Sequence, residues 1–240
     1  MVSPIWRMRP FAFKMMWQHV NEEYLPYPLG VRPTSATTAE HRHEQIEAID
    51  EAITTLSEWY EPALVALTSP EVRVEIFGPR NGELFRAHVG VRGGIACLAT
   101  QEPGRDPDIG GEITLRALHT GDVGRALAKT LGTSVVGTPQ EWRFTGSSAG
   151  PDELAMEREL DAVMAKGILA VLPVGVLPGP MVDWSADEGA HTFDIVSVRD
   201  HGDLIVNRAA RQVVSATPER TARAFDTYVA AVRKIYEGRR

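Results

Sequence analysis

The residues with the makings of chemistry in this chain are seven histidines, one cysteine, a Gly-Ser-Ser-Ala-Gly segment and a short run of carboxylates. His41 and His43 flank Arg42. A His-x-His pair suits a metal on a strand, where alternate side chains share a face. These two sit at a helix start, and helical positions two apart diverge by about 200°. The pair therefore reads as solvated. His88, His119, His191 and His201 fall at strand edges or turns, without partners at ligand spacing. Asp183, Asp187 and Glu188 form an acidic loop suited to calcium in type but not in spacing, because an EF-hand alternates its ligands through twelve residues. Gly146 to Gly150 approximates a nucleophile elbow, but it precedes Pro151 and reads as a flexible linker. Cys97 lies in the apolar run Gly94 to Ala99. A catalytic thiol needs a base and an electropositive setting, so Cys97 reads as a small buried residue. No phosphate-binding loop and no Gly-x-Gly-x-x-Gly after a strand occurs. The residues thus present no self-consistent catalytic or metal site, and no cofactor is expected.

The elements that would position any site follow from periodicity. Tyr24 to Leu29 is held extended by its prolines. From Thr38 to Tyr60, Ile46, Ile49, Ile53, Leu56 and Tyr60 recur at three- and four-residue steps. This is one helical stripe, with Glu40, Glu44, Glu47, Asp50 and Glu51 on the other face. Pro62 starts a short second helix, Glu61 to Leu67. Alternation then predicts strands at Val72–Ile76, Phe85–Val91, Ile95–Thr100 and Ile113–Leu118. Gln101 to Gly111 reads as a polar loop. Thr120 reads as an N-cap for a helix to Leu131.

The second half repeats the order. A helix is predicted from Pro151 to about Val171, and strands at Met181–Trp184, Phe193–Val198, Leu204–Asn207 and Gln212–Ala216. Thr217-Pro218-Glu219 combines a cap, a proline at the first position and an acid in the first turn. The fold expected is α+β: one antiparallel sheet with helices packed at its ends or on one face, built as a quasi-twofold repeat of helix–strands–helix. The halves fall at about 38–132 and 151–237 of a single domain spanning 1–240.

Composition limits the function classes. The chain has 240 residues and a formal net charge of −7, which disfavours nucleic acid because phosphate binding needs clustered cations. Met1 to Val20 superficially resembles a signal peptide, but Lys14, Gln18 and His19 interrupt its apolar stretch. No run approaches the roughly 20 apolar residues of a membrane span. The expectation is a cytoplasmic protein with no membrane insertion. Leu169 to Val182 is the most apolar segment. It reads as either a buried crossing of the core or a partly exposed patch that marks a partner site, with burial favoured because exposed apolar surface is costly in a monomer.

Three landmarks carry a family resemblance: Leu25-Pro26-Tyr27-Pro28-Leu29 ahead of a long helix, Glu61 to Pro70 leading into the first strands, and Val213-Val214-Ser215-Ala216-Thr217-Pro218 entering the last helix. With the element order, they resemble the EspG family, actinobacterial chaperones of ESX (type VII) secretion. That resemblance implies a central antiparallel sheet with two helical bundles. It also implies binding of a protein client, a PPE protein or a PE–PPE pair, through the client's apolar tip. The contacts it implies lie in the turns at Arg80 to Gly82 or Arg92 to Gly94 and in parts of Met164 to Trp184. Arg80, Asn81, Arg92, Val174, Val176, Leu177, Met181 and Trp184 are the candidates. A homodimer is left open. The family's Asp-Thr and Gly-Arg-Tyr signature is reduced here to Asp200-His201-Gly202-Asp203-Leu204. Two other readings stand beside the chaperone: a small-molecule or lipid carrier whose pocket is lined by Leu169 to Val182, and an enzyme whose site is assembled only by the fold.

Overall fold

The computed structural model describes residues 4–20, 25–32, 35–55, 60–106, 109–144, 151–180 and 188–239. Along the chain run β1 (Ile5–Met8), α1 (Pro10–Val20), α2 (Thr38–Thr55), α3 (Tyr60–Thr68), β2 (Val72–Arg80), β3 (Glu83–Arg92), β4 (Ile95–Asp106) and β5 (Ile109–His119). Then come α4 (Val123–Leu131), β6 (Glu141–Arg143), α5 (Pro151–Met164), β7 (Ile168–Pro178), β8 (His191–Val198), β9 (Gly202–Asn207), β10 (Gln212–Ser215) and α6 (Pro218–Glu237).

The strands form one ten-stranded sheet in the order β1-β5-β4-β3-β2-β7-β8-β9-β10-β6, antiparallel throughout. The order is symmetric about the β2–β7 seam. On each side a four-strand meander runs outward, and an edge strand that precedes the helices closes it. This is the quasi-twofold repeat, in which β1 and α1 precede the first half as periodicity indicated it and β6 precedes the second.

Several local expectations are met and several are corrected. Thr217 Oγ1 accepts from the Arg220 amide and Pro218 opens α6, as the cap chemistry requires. Thr120 does not cap α4. Its hydroxyl donates to the Gly93 carbonyl at 3.0 Å, within a 3-10 turn. The polar segment after Gln101 extends the β4–β5 hairpin to Asp106, with register shifts that take up its irregular backbone. The helix predicted to reach Val171 ends at Met164. Gly167, at φ 108°, turns the chain into β7. Met181 to Trp184, a strand in the sequence reading, lies outside the described residues.

The sheet has two differently covered faces. On the first, α4 and α6 pack across the centre over Val72, Val74 and Ile76 of β2 and Val174 and Val176 of β7. Phe225 of α6 is fully buried and meets Phe193 edge-on at 5.4 Å. Burying such a ring contributes about 1.5–3 kcal/mol. On the second face the helices sit at the two ends. α1, α2 and α3 cover Cys97, Ala99, Ile113 and Leu115. At the other end α5 covers Val196, Val198, Leu204 and Val213, and Trp142 Nε1 donates to Glu159 at 3.1 Å. Between these helical layers the second face is only partly covered among the described residues: Arg73, Arg86 and His88 of β2 and β3 are buried, whereas Leu169, Val171 and Pro173 of β7 are exposed.

α3 approaches β3 very closely. A Cβ on Gly90 would lie 2.0 Å from the Ala66 carbonyl oxygen, which is backbone and has no easy escape. Gly90→Ala should lower stability by about 1–3 kcal/mol, the usual cost of overpacking. Chemical denaturation reads it, and an unchanged midpoint would contradict this packing.

The isoleucine stripe of α2 faces the opposite way from what amphipathicity indicates. Ala48 and Ala52 are buried against α1, while Ile46, Ile49 and Ile53 are 55%, 45% and 64% exposed. The cause is steric and electrostatic. α1 already fills that space with Phe11, Phe13 and Trp17, so only small side chains fit at its contact with α2. The Arg9 amide and guanidinium then hold Glu51 at 2.7 and 2.5 Å, which fixes the helix rotation.

Candidate functional site

The exposed part of the second face is shaped by prolines. β2 and β7 pair from Val72↔Pro178 to Ile76↔Val174, and there the ladder stops. The next positions carry Phe77-Gly78-Pro79 on one strand and Pro173 on the other. Proline has no N–H to give a ladder, so Ile168 to Pro173 pairs only with β8. From Ala170 onward β7 alternates across the sheet, and Leu169 is the extra residue at a register shift against β8 between Ile168 and Ala170. Leu172, Val174 and Val176 point into the core, while Leu169 at 59% and Val171 at 36% are exposed, with Pro173 beside them.

Adjoining this stripe is a groove of about 530 Å³ lined by Tyr27, Phe77, Pro173, Gly175, Asp194 and Arg208, among others. Phe77 forms an aromatic wall, with Tyr27 edge-on at 6.0 Å and the Arg86 guanidinium 5.5 Å over its ring. The charges at the rim are paired: Arg208 with Asp194 at 3.3 Å, and Arg73 with Glu75 at 2.9 Å. Burial first, and Glu75 second, push the Tyr27 hydroxyl above its ordinary pKa, so it is neutral at physiological pH. The groove therefore offers an apolar floor and neutralised walls.

The Pro26-Tyr27-Pro28 loop is held against the sheet by two side chains from below. Gln101 grips Gly30 from both sides, accepting from its amide at 2.9 Å and donating to its carbonyl at 2.7 Å. His88 Nδ1 donates to the Tyr27 carbonyl at 2.7 Å, the only role open to it opposite a carbonyl oxygen. His88 is fully buried, and desolvation lowers its pKa to about 4 despite that bond, with Arg73 adding to the fall. The unfolded chain takes up a proton near pH 6.5, whereas folded His88 does not until about pH 4. The folded state then binds fewer protons, so stability should fall as pH drops from about 6.5 towards 4. His88→Gln should flatten that part of the pH profile. Parallel profiles for the two proteins would contradict the assignment.

A family model described as the EspG family matches residues 10–237. The chain belongs to the EspG family. Among curated proteins, no match is found.

In this EspG-family chain the first landmark, Leu25 to Leu29, is the loop that brings Tyr27 to the groove. The reduced signature Asp200 to Leu204 supplies Asp203, whose carboxylate is buried against Arg80 at 2.8 and 2.9 Å. Arg80 is thus a structural residue reaching the first face, where it also donates to the Leu131 carbonyl. Val174 and Val176 are core residues on that same face, closed to a partner while the sheet is intact. Asn81 is exposed in the β2–β3 turn at φ 53°. Arg92 is half-buried, and its guanidinium donates to the Ser69 carbonyl at 2.6 Å. Leu177 is half-buried on the second face. Met181 and Trp184 lie outside the described residues. The structure brings together Leu169, Val171 and Pro173, from the apolar segment the sequence marks as a buried crossing or a partner patch, with Tyr27 of the first landmark and with Phe77, which no sequence signal marks. β7 is apolar on both of its faces, so no polar alternation marks which residues point out.

Other reactive groups are used structurally. Cys97 is buried beneath α3, and desolvation pushes its thiol up to about 12. His41 bonds the Ser35 hydroxyl at 3.1 Å, whereas His43 pairs with Glu47 at 3.2 Å. Among the described residues no group of three or more His, Cys, Asp or Glu could hold a metal ion, and no helix is long and apolar enough to cross a membrane.

Proposed function

We propose that this protein is a cytoplasmic, non-enzymatic chaperone of type VII (ESX) secretion, which holds a PPE-like protein or a PE–PPE pair by its apolar tip before export. One observation carries the reading: Val171 and Pro173 stand exposed on the outward sheet face beside an aromatic-walled groove, with Leu169 exposed next to them, on a chain that is otherwise acidic. An exposed apolar patch of this kind marks a partner site. A client with an apolar tip self-associates through it, and a partner that covers the tip while carrying net charge of the order found here keeps the pair soluble. The two halves of the sheet act as one binding unit, because the stripe and groove straddle the β2–β7 seam. Asn81 and Leu177 extend the contact at its margins. No cofactor, nucleic acid or membrane takes part.

The test is co-expression with a PE–PPE pair encoded in the same genome. A stable complex on gel filtration is expected. Separate elution at micromolar concentration would overturn the proposal.

A further inference from the structure

The outward face of α2 belongs to no site described above. Ala39, Arg42, Ile46, Ile49 and Ile53 follow one another at steps of three, four, three and four residues. That is the seven-residue repeat by which two helices interlock along a seam. The orientation is built in, since Arg9 clamps Glu51 and Glu47 on the inner side and alanines fill the contact with α1. Three isoleucines about half exposed on consecutive turns are a face without a cover.

We propose that this face pairs with the same face of a second copy of the chain, the two α2 helices running antiparallel. The charge pattern selects that occupant. Arg42 and His43 mark one end of the stripe and Asp50 flanks the other, eight residues and about 12 Å along the helix from Arg42. Both Arg42 and Asp50 are exposed, and neither has an ion pair among the described residues. Antiparallel pairing sets Ile46 against Ile49 of the second copy and Ile53 against its Arg42. It then brings each Arg42 within reach of the other copy's Asp50. A parallel arrangement would set like charges side by side. The twofold operation makes both contacts twice, as isologous pairing requires. A helix about 27 Å long gives an interface at the small end of the range, so the dimer is reversible and concentration-dependent. No residue of the stripe lines the groove, so the dimer and the client reading stand or fall separately.

Sedimentation velocity of the full chain tests this from about 1 to about 300 μM, the range over which so small an interface dissociates. A shift from monomer to dimer with concentration is expected. Ile49→Glu and Ile53→Glu should each remain monomeric with an unchanged circular dichroism spectrum. Arg42→Glu alone and Asp50→Arg alone should each weaken association about tenfold, by placing like charges together twice. An equimolar mixture of those two variants should recover it, since the mixed pair restores both opposite-charge contacts. Overturning results are a monomer at the highest concentration, a dimer indifferent to Ile49→Glu and Ile53→Glu, or a charge-swapped mixture that fails to recover.

Discussion

Replacing Arg80 with Met should cost the fold about 3–5 kcal/mol at neutral pH, the usual price of leaving a buried charge without its partner. Arg80 ends β2 just past the point where the β2–β7 ladder stops. Its guanidinium spans to the second half of the sheet, donating to Asp203 at 2.8 and 2.9 Å and to the Ser197 hydroxyl at 3.0 Å. It does by side chain what the interrupted backbone ladder cannot. Burial alone would raise the Asp203 pKa. Hydrogen bonds from Arg80, Ser197 and the Ser134 amide outweigh it and hold the carboxyl below its usual range. In the native protein this group therefore stabilises the fold above the ordinary carboxylate pKa, and that contribution is lost as pH falls below it. In Arg80→Met the balance reverses. Asp203 is then buried without its main donor and its pKa rises, so the penalty is greatest at neutral pH and eases on acidification. Guanidinium denaturation of both proteins at pH 7 and pH 5 measures this. An equal loss at the two values, or a loss below about 1 kcal/mol, the net worth of an ordinary hydrogen bond, would show that the pair does not join the halves.

The second large effect separates binding from folding on one strand. Leu169→Asp combined with Val171→Asp should weaken client affinity at least about 100-fold, or some 2.7 kcal/mol, because two carboxylates would lose water against an apolar tip. The stability of the free protein should move by no more than about 0.5 kcal/mol, as for other exposed positions. Val174→Asp, only three residues further on, should prevent folding, since that side chain is 2% exposed inside the core. Titration of the client against each folded variant, with thermal melts of the free proteins, reads both halves of the expectation. Undiminished affinity in the double variant would move the binding face elsewhere.

Where local chemistry decides structure, the sequence was legible. The Thr217-Pro218 cap, the short proline-started helix α3 and the alternating strands β3 and β8 follow from propensity and periodicity. So does the repeated order of elements that makes the sheet symmetric about β2 and β7. What escaped was set by distant neighbours. β1 and β6 are only four and three residues long and become strands by pairing with β5 and β10. The outward turn of α2 depends on the bulk of α1. Arg80, beside a Gly-Pro-Arg-Asn-Gly turn, looks solvent-facing, and the residue that buries it lies 123 positions away. The outward residues of β7 could not be told from the inward ones, since both sets are apolar. Its prolines, which forbid a helix, also mark where the central seam opens.

The claim on which the rest depends is that the second sheet face, and not the α4–α6 face, takes the client. Amide hydrogen exchange of the protein, free and in complex with a co-purified PE–PPE pair, tests it directly. New protection is expected to concentrate in the Tyr27 loop and in Ile168 to Leu177, with α4 and α6 exchanging as before. Protection on α4 and α6 with the Tyr27 loop and β7 unchanged would contradict it.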